Sequence, residues 1–440
     1  MSLNKYYRLI KIYYSGIFPE ATLEISDSLS SMIKALKQPQ ILRLWFGQAF
    51  SSIGDEIYRV GLIWLAVGLM GPDTGYLAAG QTASLMLLSF IGGKWADRWN
   101  PRRTMMCVDF IRALIVLTPV IVSFFMPTPL ALLWVMAFTL AGLSAFFDPA
   151  TQGLIPILAG SAELMQSTNG LMSTTIRMAR MIGPAIVGLL SAFIPMIHFF
   201  TIDAVTFCVS AYCVYSLKKY IPPMDYSKMP KSNFKTAVLS GFHLARSVPG
   251  MDYVFFSKAV TAGCWNLVIA IGFPLLVHEM SGNDARYFGL VMASYGVGNF
   301  IGALYFGNME RKRLWGLYFY GLLFLGTGFI LIGLAPNVEW IILASAFAGF
   351  FGPMNDLAFI DMLQKKFKVQ DLTKMFRLRL ASESSMTLIF TLISPWLIRT
   401  TSVRTSILIG GGIWLLCAFV GLMMHKSFHK SYQTSQELHS

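Results

Sequence analysis

The chain has 440 residues, of which 55% are apolar and only 13% charged, with a mean hydropathy of +0.58. A soluble domain carries about 25% charged residues, so this chain has too few to face water on all sides, and a soluble globular protein is excluded. Its formal net charge of +13 invites a nucleic-acid reading, but the basic residues gather between apolar stretches, where they set membrane orientation.

Residues 1–41 read as a cytoplasmic N-terminal extension in which Lys5, Arg8 and Lys11 alternate with tyrosines, the pattern of a segment lying on an inner leaflet. Twelve apolar stretches follow, near 42–69, 76–96, 105–126, 130–147, 168–194, 199–217, 254–278, 287–307, 314–335, 340–362, 380–398 and 405–424. Each is about long enough, as a helix, to cross roughly 30 Å of hydrocarbon. Lipid offers the backbone no hydrogen bonds, so the spans must be helices or a closed barrel, and the alternating pattern of barrel strands is missing. The predicted fold is all-α: a polytopic membrane protein of twelve transmembrane helices.

A long polar connection, 218–251, splits the spans six and six, giving an N-terminal bundle over 42–217, a C-terminal bundle over 252–425 and a cytoplasmic tail over 426–440. Both halves place a basic turn after their second span, around Lys94 to Arg103 in the first and Glu310 to Arg313 in the second. Such a repeat predicts two pseudo-symmetric six-helix bundles with a substrate site between them near mid-membrane. With the N-terminus inside, 26 Lys and Arg between the spans fall on the cytoplasmic side and three (Arg286, Arg399, Arg404) on the other. Both termini are therefore expected in the cytoplasm.

Ionisable residues deep in a span are costly and read as functional by default. Span 1 carries Asp55, Glu56 and Arg59, with the arginine one turn from both acids. This is either a proton-coupling group, whose proton affinity follows the position of the arginine, or a permanent structural ion pair. In span 3, Asp109 and Arg112 read as a self-satisfied pair. Span 5 holds Arg177 and Arg180 without an acid on its own helix, and a Gly183-Pro184 step that predicts a kink. Asp203 is the single charge of span 6. In the second half, Lys258 lies in span 7 with Trp265 and Asn266 deeper, Asp356 lies in span 10 behind a Gly352-Pro353 step that predicts a break, and Glu383 opens span 11.

Gly93, Asp97, Arg98, Arg102 and Arg103 match the signature turn between helices two and three of the major facilitator superfamily, with one extra residue before the arginine pair. Gly54-Asp55, Asp109 with Arg112, Phe147-x-Pro149-Ala150 and Ala179-Arg180 before Gly183-Pro184 resemble the branch of macrolide-efflux proteins and the enterobactin exporter. The resemblance implies secondary transport by alternating access, and it makes the turn a cytoplasmic gate latch. Its arginines would pair with acids at helix ends, Asp148 or Asp361, while Asp109 and Arg112 support it, and Glu310 and Arg311 form a degenerate copy in the second half.

The resulting expectation is proton-coupled export of a small organic molecule, with multidrug or macrolide efflux, an uptake carrier and a lysophospholipid flippase as alternatives of the same fold. Asp55, Glu56 and Arg59 would carry coupling. Arg177, Arg180, Lys258, Trp265, Asn266, Asp356 and Glu383 would meet substrate, and the surplus of cations favours an anionic, siderophore-like one. The alternative for Arg177 and Arg180 is that they satisfy carbonyls at the kink. No Walker loop or nucleophile with its base is present, so neither ATP use nor an enzyme is expected. The chain is expected to be a cell-membrane monomer without cofactors, metal or nucleic acid, its partners being the substrate, protons and lipid.

Overall fold

A computed structural model describes residues 31–437 apart from 97–98, 191–192, 222–233, 283, 308, 310–312 and 368. The described elements are helices. The first half comprises α1 (Pro39–Met70), α2 (Thr74–Ala96), α3 (Pro101–Ser123), α4 (Leu130–Ala159), α5 (Ala162–Leu190) and α6 (Ile197–Tyr215). After a short helix, α7 (Phe234–Arg246), come α8 (Met251–Trp265), α9 (Phe273–Ser281), α10 (Ala285–Gly307), α11 (Leu314–Gly333), α12 (Val338–Lys366), α13 (Val369–Thr400) and α14 (Val403–Glu437).

Local chemistry sets the ends. Asn100 caps α3, its side chain accepting from the Arg103 amide at 3.2 Å, with Pro101 in the first turn where no amide is needed. Asn337 caps α12 in the same way through the Trp340 amide at 3.0 Å. Gly160 closes α4 with φ 69°, a left-handed conformation that a side chain would oppose. Each apolar stretch holds a helix, and several helices run past it. Nine helical segments among the described residues are long and apolar enough to cross a membrane, the first covering α1 and most of α2. The helices outside that set are α5, rich in Ser, Thr and Arg, and α13, whose middle carries serines, threonines and Glu383, besides the short α7.

The packing repeats. In the first half α1 lies on α5 and α6, α2 on α4, and α3 on α4 and α6. In the second half α8 lies on α13 and α14, α10 on α12, and α11 on α12 and α14. One polar contact repeats too: Ser84 of α2 donates to the Phe138 carbonyl of α4 at 2.7 Å, and Ser294 of α10 to the Ile342 carbonyl of α12 at 2.9 Å. Between halves, α2 meets α13 and α5 meets α10.

The halves are joined mainly at one end. Ile57, Val60, Trp64 and Val67 of α1 share a buried cluster with Phe273, Leu276 and Phe288 of the second half. Trp64 stacks on Phe288 with centroids 5.4 Å apart and lies 5.6 Å from the His278 ring. Arg399 of α13 pairs with Asp73, just beyond α1. At the opposite end, the cluster around Leu44, Met105, Phe147 and Leu154 draws only on residues 44–221 among those described.

One expectation about helix shape needs correcting. α12 runs unbroken through Pro353, held between α10 and α11. The irregularity lies instead between α8 and α9, where Asn266–Gly272 widens into a π turn ahead of Pro274. Proline frees a carbonyl one turn back, and the π turn absorbs that mismatch. The α5 backbone is helical through Gly183-Pro184.

Candidate functional site

The charges of α1 and α5 meet. Glu56 pairs with Arg59 on its own helix and, at 3.7 Å, with Nε of Arg180. The approach is possible because Gly183 of α5 has no side chain; a Cβ there would lie 2.5 Å from that of Glu56. Further along the same contact Trp45 donates to the Thr175 hydroxyl at 2.8 Å. The Glu56 side chain is 12% exposed and that of Arg180 67%, so the carboxylate is sheltered while one of its cations faces open space. Arg177 lies one turn earlier on α5, and its side chain is outside the described residues.

Behind this pair, α1, α3, α4 and α6 enclose a second group of charges. Asp109 and Asp203 are fully buried and Arg112 nearly so. Asp55 and Asp148 act electrostatically on the same guanidinium, yet their surfaces are exposed. The pair Asp109–Arg112 is not self-satisfied: Nη1 lies 3.9 Å from Oδ1, while Nη2 donates to Ser144 of α4 at 2.8 Å. The guanidinium sits over the Phe147 ring at 4.6 Å and near Phe207 at 5.5 Å. Asp148 acts on Arg112, which Phe147 and Ser144 hold to α4. Arg102 of the turn donates instead to the Tyr215 carbonyl at 3.1 Å. Of the other gate residues, Gly93 lies near the end of α2 and Arg103 near the start of α3, while Asp97, Arg98, Glu310 and Arg311 lie outside the described residues.

The second half holds its own pairs. The Lys258 ammonium is bound by Asp356 and, at 3.1 Å, by Asn355. It is therefore compensated and does not supply the additional positive charge expected of it: α12 continues as a helix and carries both partners to α8. Arg379 and Glu383 pair at 2.8 Å, and both Arg379 and Lys258 lie over the Phe359 ring, at 5.2 and 5.9 Å. Asp356 keeps 53% of its side chain exposed. Trp265 donates to the Tyr295 hydroxyl at 3.1 Å, and Asn266 reaches Thr387 of α13 at 3.4 Å. Arg379, Tyr295 and Thr387 escaped the sequence reading. Arg379 was detectable: it precedes Glu383 by four residues, the spacing of one helical face.

The sequence matches the transmembrane secretion effector family of the major facilitator superfamily over residues 30–350, and the chain belongs to that family. It is 25% identical over 339 residues to the multidrug efflux pump Tap of Mycolicibacterium fortuitum, covering 72% of this chain and 79% of that protein. Macrolide efflux protein A of Streptococcus pyogenes is 22% identical over 344 residues, 76% of this chain and 83% of its own. In fold, the chain is similar to the POT family transporter PepTSo, with a TM-score of 0.68 at 13% identity over 89% of this chain and 99% of that one. The nucleoside transporter NupG gives 0.64 at 12% identity over 88% and 99%.

Proposed function

We propose that this member of the transmembrane secretion effector family exports a small organic molecule in exchange for protons, by alternating access between two six-helix bundles. The recurrence of helix pairings and of the Ser84 and Ser294 bonds supports two bundles related by pseudo-symmetry. Twelve spans with both termini cytoplasmic follow from the apolar stretches and the asymmetry of Lys and Arg. In that orientation the joined end is the outer one, and the conformation is inward-facing.

One observation carries the coupling: Glu56 of α1 holds Arg59 and reaches Arg180 of α5 at mid-helix. A proton on Glu56 removes the charge that restrains both guanidiniums. The same guanidiniums offer parallel donors to a planar anion, and in an exchange cycle they carry it on the leg on which Glu56 carries no proton. A substrate bearing carboxylate, catecholate or phosphate suits this exchange, a siderophore-like molecule among them. One proton moving inward across 100 mV supplies about 2.3 kcal/mol, about a fifty-fold gradient.

Export of a cationic drug is the second reading. It is favoured by the half-exposed Asp356 and by the names of the relatives, multidrug and macrolide efflux proteins. The test is uptake into inverted vesicles driven by an imposed proton gradient, with a catecholate siderophore and a cationic macrolide offered in parallel. Wild type should accumulate one of them, and Glu56→Gln should lose accumulation while downhill exchange persists. Undiminished accumulation by Glu56→Gln removes Glu56 from coupling; movement of the macrolide alone removes the anion reading.

A further inference from the structure

The buried acids of α3 and α6 are not used by the mechanism above, and their surroundings are unusual. Asp203 lies about 9 Å along α6 and Asp109 about 12 Å along α3, counted from the helix starts, so both are remote from the interfaces. Gly54 of α1 makes room for Asp203: a Cβ at position 54 would stand 2.6 Å from Asp203 Oδ1. The only hydroxyl that reaches Asp203 among the described residues is Thr206, at 3.4 Å, and it makes its better bond, at 2.8 Å, to the Asp203 carbonyl. Asp203 Oδ2 and both oxygens of Asp109 have no hydrogen-bond partner among the described residues, although Ser210 stands beside Asp109.

A carboxylate with so few donors is poorly suited to remain charged in such a place. An ionised side chain taken from water costs several kcal/mol unless hydrogen bonds and a counter-charge replace the lost hydration. Here Asp55, Asp109, Asp148 and Asp203 all act on one guanidinium, Arg112, whose own hydrogen bond goes to Ser144. Arg59, the other cation acting on Asp55, is committed to Glu56. The groups facing Asp203 are Asp55 and Tyr58 of α1 and Asp109 and Arg112 of α3, with Asp148 of α4 acting on the same arginine. Full ionisation therefore leaves an excess of negative charge in a region that cannot solvate it.

We propose that Asp109 and Asp203 form a second proton-accepting site, separate from Glu56, filled through the exposed acids Asp55 and Asp148 and balanced by Arg112. Asp55 and Asp148 have exposed surface and the two buried acids have none, which gives the route its direction. In each step an O–H bond of an exposed acid breaks and an O–H bond forms on a buried carboxylate, so no other reactant is needed. The site deepens the proton-exchange reading above and rests on it: it lets the carrier hold a second proton while Glu56 is engaged with its arginines.

The proposal is tested without any substrate. Purified full-length protein in detergent is acidified from alkaline pH and the protons taken up are counted with an indicator dye. Asp109→Asn and Asp203→Asn should each bind fewer protons than wild type, by up to about one per molecule because the sites are coupled, and Glu56→Gln should show its own separate loss. If the two aspartate variants bind as many protons as wild type while Glu56→Gln binds fewer, the buried site is wrong and the coupling role of Glu56 stands. The reverse result keeps the buried site and removes Glu56. Should a variant fail to fold, infrared difference spectra of wild type and Glu56→Gln at the two pH values replace it. A pH-dependent band of a protonated, solvent-shielded carboxyl group is expected in both, and its absence overturns the proposal.

Discussion

At the scale of single residues, pairing is asymmetric, and the asymmetry makes predictions. Lys258 is 8% exposed and held by Asp356, which is itself half-exposed. Removing the acid strands a buried ammonium with only Asn355, whereas removing the lysine leaves a carboxylate that water can reach. Asp356→Ala should therefore cost about 3 kcal/mol of stability and Lys258→Met much less, measured as thermal unfolding in detergent. Equal losses would show that the lysine is solvated in the folded protein. The contact of α1 with Arg180 was legible because an arginine in an apolar stretch that holds no acid, as 168–194 does not, must look to a neighbour. Lys258 misled because its partners lie 97 and 98 residues away, a distance that no local pattern registers. Arg379 was counted with the cytoplasmic loop because the apolar stretch begins only at 380, yet α13 starts at Val369 and brings that arginine one turn before Glu383.

At the scale of elements, glycines decide how closely helices approach, and their value depends on what lies opposite. Cβ atoms built at Gly298 and Gly302 of α10 would collide with the Ala346 and Phe350 carbonyls of α12, and backbone cannot step aside as a side chain can. Gly412 of α14 has nothing within 4 Å of such an atom. Gly302→Ala should destabilise by about 1–3 kcal/mol. Gly412→Ala should be neutral or stabilise by up to about 1 kcal/mol, since alanine is the better helix former. Comparable effects from both would remove the close α10–α12 contact as a source of stability. The existence of the helices was readable because lipid leaves few alternatives for the backbone. The position of the irregular turn was not, because several of the apolar stretches contain a proline. Pro353 is clamped by α10 and α11, while Pro274 follows a stretch able to widen. Only packing distinguishes them.

At the scale of the whole molecule, the two halves close on each other at one end. Four kinds of contact coincide there: the Trp64–Phe288 stack, the Asp73–Arg399 pair, the mixed apolar cluster, and the passage of Gly75 of α2 beneath Ser394 and Pro395 of α13. The repeat of basic turns pointed to two related halves, but which end is closed is a property of the conformation, and the same residues serve both states of a carrier. Alternating access requires this end to part once in each cycle. A Cβ at Gly75 would meet the Ser394 hydroxyl directly, so cysteines at these two positions are placed to bond without rearrangement. The pair is best built with serine at the exposed Cys107 and Cys208, to keep the oxidation selective. Oxidised Gly75→Cys/Ser394→Cys should form the disulfide readily and lose transport, and reduction should restore it. The oxidised protein should still be labelled at the opposite end. Turnover that continues unchanged with the bond in place would mean that this end never opens, and the carrier would have to work by another route.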